Sequence, residues 1–174
     1  MLNKTSIIYL AAGLGSRLKK KTQKSPKCMV KVKNKLLIDF NMRFLKKFKK
    51  TYIISGYRSR NLKEKLKNEK FKICFNKKYN KTNMVYSAFI PNIKSGNVVI
   101  CYGDIIFNSK IARIFFKNSG DFLPVYKNWF RLWKKRMPIK YIKKDAEDLV
   151  IKKNIVTSIG KKIVSKLPRY QFMG

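Results

Sequence analysis

Histidine is absent from this 174-residue chain. That excludes a histidine general base and all histidine metal ligation, leaving carboxylates as the natural ligands of any hard cation. Carboxylates are themselves scarce: eight Asp plus Glu stand against 43 Lys plus Arg, a net charge of +35. The three cysteines, Cys28, Cys74 and Cys101, are odd in number, far apart and outside any C-x-x-C arrangement. They imply neither a disulfide framework nor a zinc site, and read as free thiols in a reducing compartment. There is no apolar run of about eighteen residues and no secretory leader, so no membrane span is expected and a soluble cytoplasmic setting follows. Repeats and Gly/Ser-rich linkers are missing too, so residues 1–174 read as one domain.

What is present begins with 45% hydrophobic residues, enough to fold around a core. The cations are spread along the chain, with runs such as Lys19-Lys20-Lys21 and Lys46-Lys47. Dense positive charge implies non-specific adhesion to polyanions at low salt. A dedicated nucleic-acid binder would be expected to gather that charge into one helix or tail, whereas the abundance of Lys, Asn, Ile, Phe and Tyr resembles compositional drift.

The segment Ile7 to Val32 carries the most chemistry. Ile7 to Ala12 is a short apolar run suited to a strand covered on both faces. Gly13 and Gly15 follow, removing side chains where the backbone turns and an anion can approach its N–H groups. Arg17 offers a fork of fixed donors to phosphate oxygens, and Lys27 adds a point charge in a second loop fixed by Pro26. Strand, glycine loop and two cations describe a triphosphate cradle. The spacing is that of neither a Walker loop nor a dinucleotide fingerprint.

Further along, strand and helix patterns alternate as in a doubly wound sheet. Leu36 to Phe48 reads as a helix with Leu37, Phe40, Met42, Phe44, Leu45 and Phe48 on its apolar face. Strands are expected at 51–55, 71–75 and 97–102, short helices at 61–67 and 111–117, another strand near 122–125, and a hairpin over 149–159. Asp104, just past the third of these strands, sits where open parallel sheets gather ligands, although an aspartate there can equally cap a turn. Asn83 and Ser87 could read a base or ribose, or could serve as turn and cap residues. Trp129 and Trp133 lie four apart, a spacing that suits core packing or an aromatic face for a quaternary ammonium.

The combination L-A-A-G-x-G-x-R-L, Thr22, Pro26-Lys27, then Tyr102-Gly103-Asp104, resembles the nucleotidyltransferases that join a nucleoside triphosphate to a phosphorylated sugar or alcohol. Among these it is similar to the phosphocholine and aminoethylphosphonate cytidylyltransferases. The resemblance implies an α/β fold: a Rossmann-like, doubly wound mixed sheet of the nucleotide-diphospho-sugar transferase type with a small β-hairpin insertion. It implies a nucleotide site at Leu10, Ala11, Ala12, Gly13, Gly15, Asn83 and Ser87, with Arg17 and Lys27 as catalytic candidates. It further implies Mg²⁺ on Asp104, Trp129 and Trp133 toward the acceptor, and CTP plus a phosphorylated small-molecule acceptor as partners. Tyr126 stands where such relatives usually carry Asp, Lys20 where they carry Pro, and Cys28 where they carry a small residue. The likeness runs to Gln171-Phe172-Met173-Gly174, beyond which relatives continue. The expectation is therefore a chain lacking the family's C-terminal part and its second metal aspartate, turning over poorly on its own. Rival readings are a sugar-1-phosphate uridylyl- or thymidylyltransferase and an inactive basic protein that binds nucleic acid non-specifically.

Overall fold

The structure is a computed structural model that describes residues 5–106, 108–117, 120–163 and 166–172; Met173 and Gly174 lie outside them. The chain divides into two compact units, Met1–Asn118 and Ser119–Gly174.

The first unit runs β1 (Thr5–Ala11), a small ribbon of β2 (Lys31–Val32) and β3 (Lys35–Leu36), α1 (Leu37–Leu45), β4 (Lys50–Ser55), α2 (Ser59–Lys65), β5 (Lys72–Phe75), α3 (Met84–Phe89), β6 (Asn97–Tyr102) and α4 (Ser109–Lys117). Two 3₁₀ turns, Ser16–Thr22 and Lys27–Met29, precede the ribbon. Its sheet has the order β5-β4-β1-β6, all parallel.

The sequence of β1 accounts for its central place. Alternate residues Ile7, Tyr9 and Ala11 face one cluster with Ile38, Phe44, Leu45, Leu62 and Leu66, while Ile8 faces a second with Tyr52, Ile54 and Ala12. Both faces are thereby shielded, and each fully buried aliphatic side chain contributes about 1.5–3 kcal/mol. Helix α1 starts where the Leu36 N–H donates to the Asp39 carboxylate at 3.0 Å, satisfying one of the free donors of a helix start. Its inward stripe is Ile38, Asn41, Phe44 and Leu45. Phe40, expected inside, lies at the margin at 36% exposure.

The chain first winds outward from β1 to β4 and β5, then crosses back to place β6 on the other side of β1. Strand order thus reverses between β1 and β6, and the carboxyl ends of two such strands form the crevice where open α/β sheets bind ligands.

The second unit contains β7 (Val125–Tyr126), α5 (Trp129–Lys134), α6 (Ile139–Asp145), the hairpin β8 (Glu147–Lys152) and β9 (Ile155–Lys162), and β10 (Gln171–Phe172). β10 pairs antiparallel with β7. The hairpin falls where the sequence places it, and Lys153 and Asn154 at its tip both have positive φ, 47° and 63°, as a tight two-residue hairpin turn requires. Around Trp129, Trp133, Ile142 and Ala146 this unit builds a small core of its own. No helix among the described residues is long and apolar enough to cross a membrane.

Candidate functional site

The end of β1 is anchored before it opens. The Tyr57 N–H donates to the Ala12 carbonyl at 3.0 Å, and the Gly103 N–H donates to the Leu10 carbonyl at 2.8 Å. Ala11 and Ala12 are buried, whereas Gly13 and Leu14 are exposed. Gly15 has φ +64°, and a β-carbon there would sit 2.9 Å from Thr22 Cγ2 and 3.2 Å from Lys27 Cβ. Only glycine fits both the left-handed backbone and that contact. The buried Thr22 hydroxyl closes the turn, lying 3.0 Å from the Gly15 carbonyl and 3.2 Å from that of Lys19. Gly13 is different: a β-carbon there would meet no atom of the chain within 4 Å. The space above it is open.

Pro26 leads into the turn that carries Lys27. The preceding loop is fastened from beyond β4, where Tyr57 Oη and Arg58 Nε donate to the Gln23 carbonyl at 3.0 and 3.2 Å and Asn61 Nδ2 donates to the Lys24 carbonyl at 2.9 Å. The sequence gives no sign of this tether, which depends on contacts between distant segments. Glycine is required at position 56, since a β-carbon there would lie 2.7 Å from the Ala12 carbonyl oxygen.

Asp104 follows β6, as expected. Its carboxylate pairs with the Lys27 ammonium, and each side chain remains about one-third exposed, 34% and 33%. Glycine loop, lysine and aspartate therefore converge on the crevice between β1 and β6. Arg17 is exposed on the first 3₁₀ turn. Among the described residues no three Asp, Glu or Cys side chains gather as a metal cluster. Asp104 offers one hard oxygen donor, enough for a divalent cation that takes its remaining ligands from substrate and water.

Asn83 and Ser87 have intramolecular duties. Asn83 caps α3, its Oδ1 accepting from the Tyr86 N–H at 3.1 Å. The buried Ser87 hydroxyl donates to the Asn83 carbonyl at 3.3 Å and accepts from Asn76 Nδ2 at 3.0 Å. Asn76 also receives the Lys78 N–H at 2.8 Å, so this buried amide organises the approach to α3. Trp129 and Trp133, exposed by only 1% and 8%, take the packing alternative that their spacing left open. The rings meet edge to face at 5.3 Å, Trp129 Nε1 donates to the Pro168 carbonyl at 3.1 Å, and the Arg136 guanidinium lies 4.7 Å from the Trp133 ring centre.

The cysteines are free. Burial pushes the Cys28 thiol up to about 12 and raises Cys101 as well, keeping both protonated and unreactive at neutral pH.

No protein-family model matches the chain. It is 34% identical over 168 residues to the CTP:phosphoglutamine cytidylyltransferase of Campylobacter jejuni, covering 89% of this chain and 65% of that protein. To the choline-phosphate cytidylyltransferase of Streptococcus pneumoniae it is 37% identical over 103 residues, covering 56% of this chain and 43% of that one. In three dimensions it overlays on the inositol-1-phosphate CTP transferase of T. maritima with a TM-score of 0.67 at 23% identity, covering 100% of this chain and 69% of the other. The chain thus spans less than two thirds of the length of either relative. Its fold is the α/β, Rossmann-like fold of the nucleotidyltransferases. Within that class, sequence identity makes it cytidylyltransferase-like.

Proposed function

We propose that this chain provides the nucleotide-handling part of a cytidylyltransferase, transferring a cytidylyl group from CTP to the phosphate or phosphonate of a small-molecule acceptor and releasing pyrophosphate. One observation carries the reading. Gly15, Lys27 and Asp104 belong to three separate loops, yet meet at the switch point of a parallel sheet. The named activities of the relatives supply CTP as the nucleotide and a phosphorylated small molecule as the acceptor class. Three free thiols, two of them buried, suit a cytoplasmic setting.

In this reading an acceptor oxygen attacks the α-phosphorus of CTP. The new P–O bond forms as the bond from the α-phosphorus to the bridging oxygen breaks, and that electron pair leaves with pyrophosphate. The attacking oxygen is already anionic, so no general base is needed, in keeping with a chain that has no histidine. Positioning and charge stabilisation supply the catalysis.

Leu10, Ala11 and Ala12 form the floor, and backbone N–H groups from Ala12 to Gly15 face the nucleotide over the opening at Gly13. Lys27 exchanges its carboxylate partner for a phosphate oxygen, and Arg17 supplies a second cation. Asn83 and Ser87 shape the nucleotide side through the capped start of α3. Trp129 and Trp133 act as core of the second unit, not by touching an acceptor. Asp104 is the ligand we assign to Mg²⁺, which when bound would neutralise charge on the triphosphate and departing pyrophosphate.

Thermal-shift titrations with CTP, UTP, ATP and GTP, each with Mg²⁺ at moderate salt, test the reading beside Lys27→Ala. A ligand at about a hundred times its dissociation constant adds roughly 2.7 kcal/mol of stability. CTP-selective stabilisation, lost in the variant, supports it. Equal shifts with all four nucleotides, unaltered by the substitution and abolished by salt, would leave only the non-specific polyanion binding that a charge of +35 brings.

A further inference from the structure

Two polar side chains lie in the apolar interior of the first unit directly beneath Asp104. Asn41, on α1, and Tyr9, on β1, are both 0% exposed. The Tyr9 hydroxyl donates to the Gly103 carbonyl at 2.8 Å. Asn41 Nδ2 donates to the Ile105 carbonyl at 2.6 Å and lies 3.5 Å from the Tyr9 hydroxyl oxygen. The residues on either side of Asp104 are thus gripped from below. Gly103 is held again by the Leu10 carbonyl, against which a β-carbon would sit at 2.6 Å. Burial raises the Tyr9 hydroxyl far above its ordinary value, so it remains a proton donor throughout the working range of pH.

An apolar residue at position 41 would pack in this cluster without needing a partner, and an unsatisfied amide there would be costly. The buried pair is therefore accounted for by what it holds. Together the pair reaches two carbonyls of one short turn, those of Gly103 and Ile105, and that turn carries the carboxylate.

We propose that Asn41 and Tyr9 are positioning residues that fix the Gly103-Asp104-Ile105 turn, and so aim the Asp104 carboxylate at Lys27 in the free protein and at the divalent cation when nucleotide is bound. The second half rests on the function proposed above; the first does not. Neither side chain touches substrate, and both act through the backbone.

The test has two arms. Without ligand, a double-mutant cycle of Lys27→Met and Asp104→Asn measures the coupling of the pair through melting temperatures. The cycle is run in the parent and in Tyr9→Phe, Asn41→Leu and, as a destabilised control, Leu62→Val. The expected result is coupling in the parent and the control that disappears in Tyr9→Phe and Asn41→Leu. Coupling that survives in both variants, or is absent from the parent, overturns the proposal whether or not CTP binds. With ligand, the Mg²⁺ concentration giving half of the CTP-induced shift should rise about tenfold in Tyr9→Phe, a loss of aim of roughly one decade, while the control keeps the parent value. A midpoint unchanged in Tyr9→Phe overturns the cation half. A parent with no Mg²⁺-dependent response to CTP instead refutes the function reading and leaves the first arm to decide positioning alone.

Discussion

The two units use the same stock of residues to different ends. In the first, a parallel sheet buries β1 on both faces and delivers the glycine loop, Lys27 and Asp104 to one crevice. In the second, a compact aromatic core supports short antiparallel pairs whose hairpin leaves Val150, Ile155 and Ile159 exposed by 39%, 67% and 41%. One unit spends its interior on holding polar loops in place, the other on packing indoles. Chemistry-bearing residues therefore cluster where parallel strands end, and substitutions in the two units should separate binding from stability.

The largest effect is expected from Trp129→Ala. Removing a 1%-exposed indole at the centre of the second core should cost about 3–5 kcal/mol. Both tryptophans of the chain lie in this unit, so fluorescence of the remaining Trp133 during urea unfolding follows it directly. A loss under 1 kcal/mol would mean that the core is not organised around that ring. Lys27→Ala should change stability little, since a partly exposed ion pair contributes about 0–1 kcal/mol. It should weaken CTP binding by about 1.5–3 kcal/mol, the range for a charged hydrogen bond, as read by calorimetry. Stability lost in place of affinity would reverse the division of labour drawn here.

A smaller effect concerns acid. Burial works to raise the Asp39 carboxyl, but the Lys65 ammonium at 2.8 Å and the Leu36 N–H outweigh it, with Lys35 adding to the pull, and hold it below its ordinary value. A carboxyl depressed in the folded state contributes stability above its unfolded pKa, and that contribution is lost as pH falls through the folded value. Melting temperature against pH should accordingly lose part of its acid limb in Asp39→Asn below about pH 4, with the other carboxylates keeping the rest. Ile155→Ser on the exposed hairpin should do least, within about 0.5 kcal/mol in the same urea experiment.

Much of the first unit was legible because its strands write short apolar runs, those of β1 and β4 being buried on both faces. β1, β4, β5 and β6 fall within two residues of where the sequence sets them, and β6 matches at both ends. Helix α3 was not legible. Met84, Val85, Tyr86 and Phe89 are exposed, so its apolar residues follow no inward stripe, and an Asn-rich approach reads as a loop. Helix α6 buries Ile142 alone, too little for a period. The strand expected at 122–125 lies at Val125–Tyr126 because its partner, Gln171–Phe172, sets the register from far along the chain. Within the site, Gly15, Lys27 and Asp104 were readable from spacing and resemblance. Asn41 was not, since a polar residue on an apolar helix face gains its meaning from the Ile105 carbonyl it meets across the fold.

If Lys27 and Asp104 serve nucleotide and cation as proposed, their ion pair would bear on the order in which ligands arrive. An anion coming alone must compete with a carboxylate for the lysine, and a cation coming alone must compete with an ammonium for the aspartate. A triphosphate already chelated to its metal meets neither opposition in full, because each half releases the residue that the other half needs. By thermodynamic reciprocity, whatever the metal adds to the affinity for nucleotide, the nucleotide adds equally to the affinity for metal. Under the proposed function, the resting ion pair would make the crevice a receptor for a metal-chelated triphosphate, and a poorer one for free phosphate or free cation.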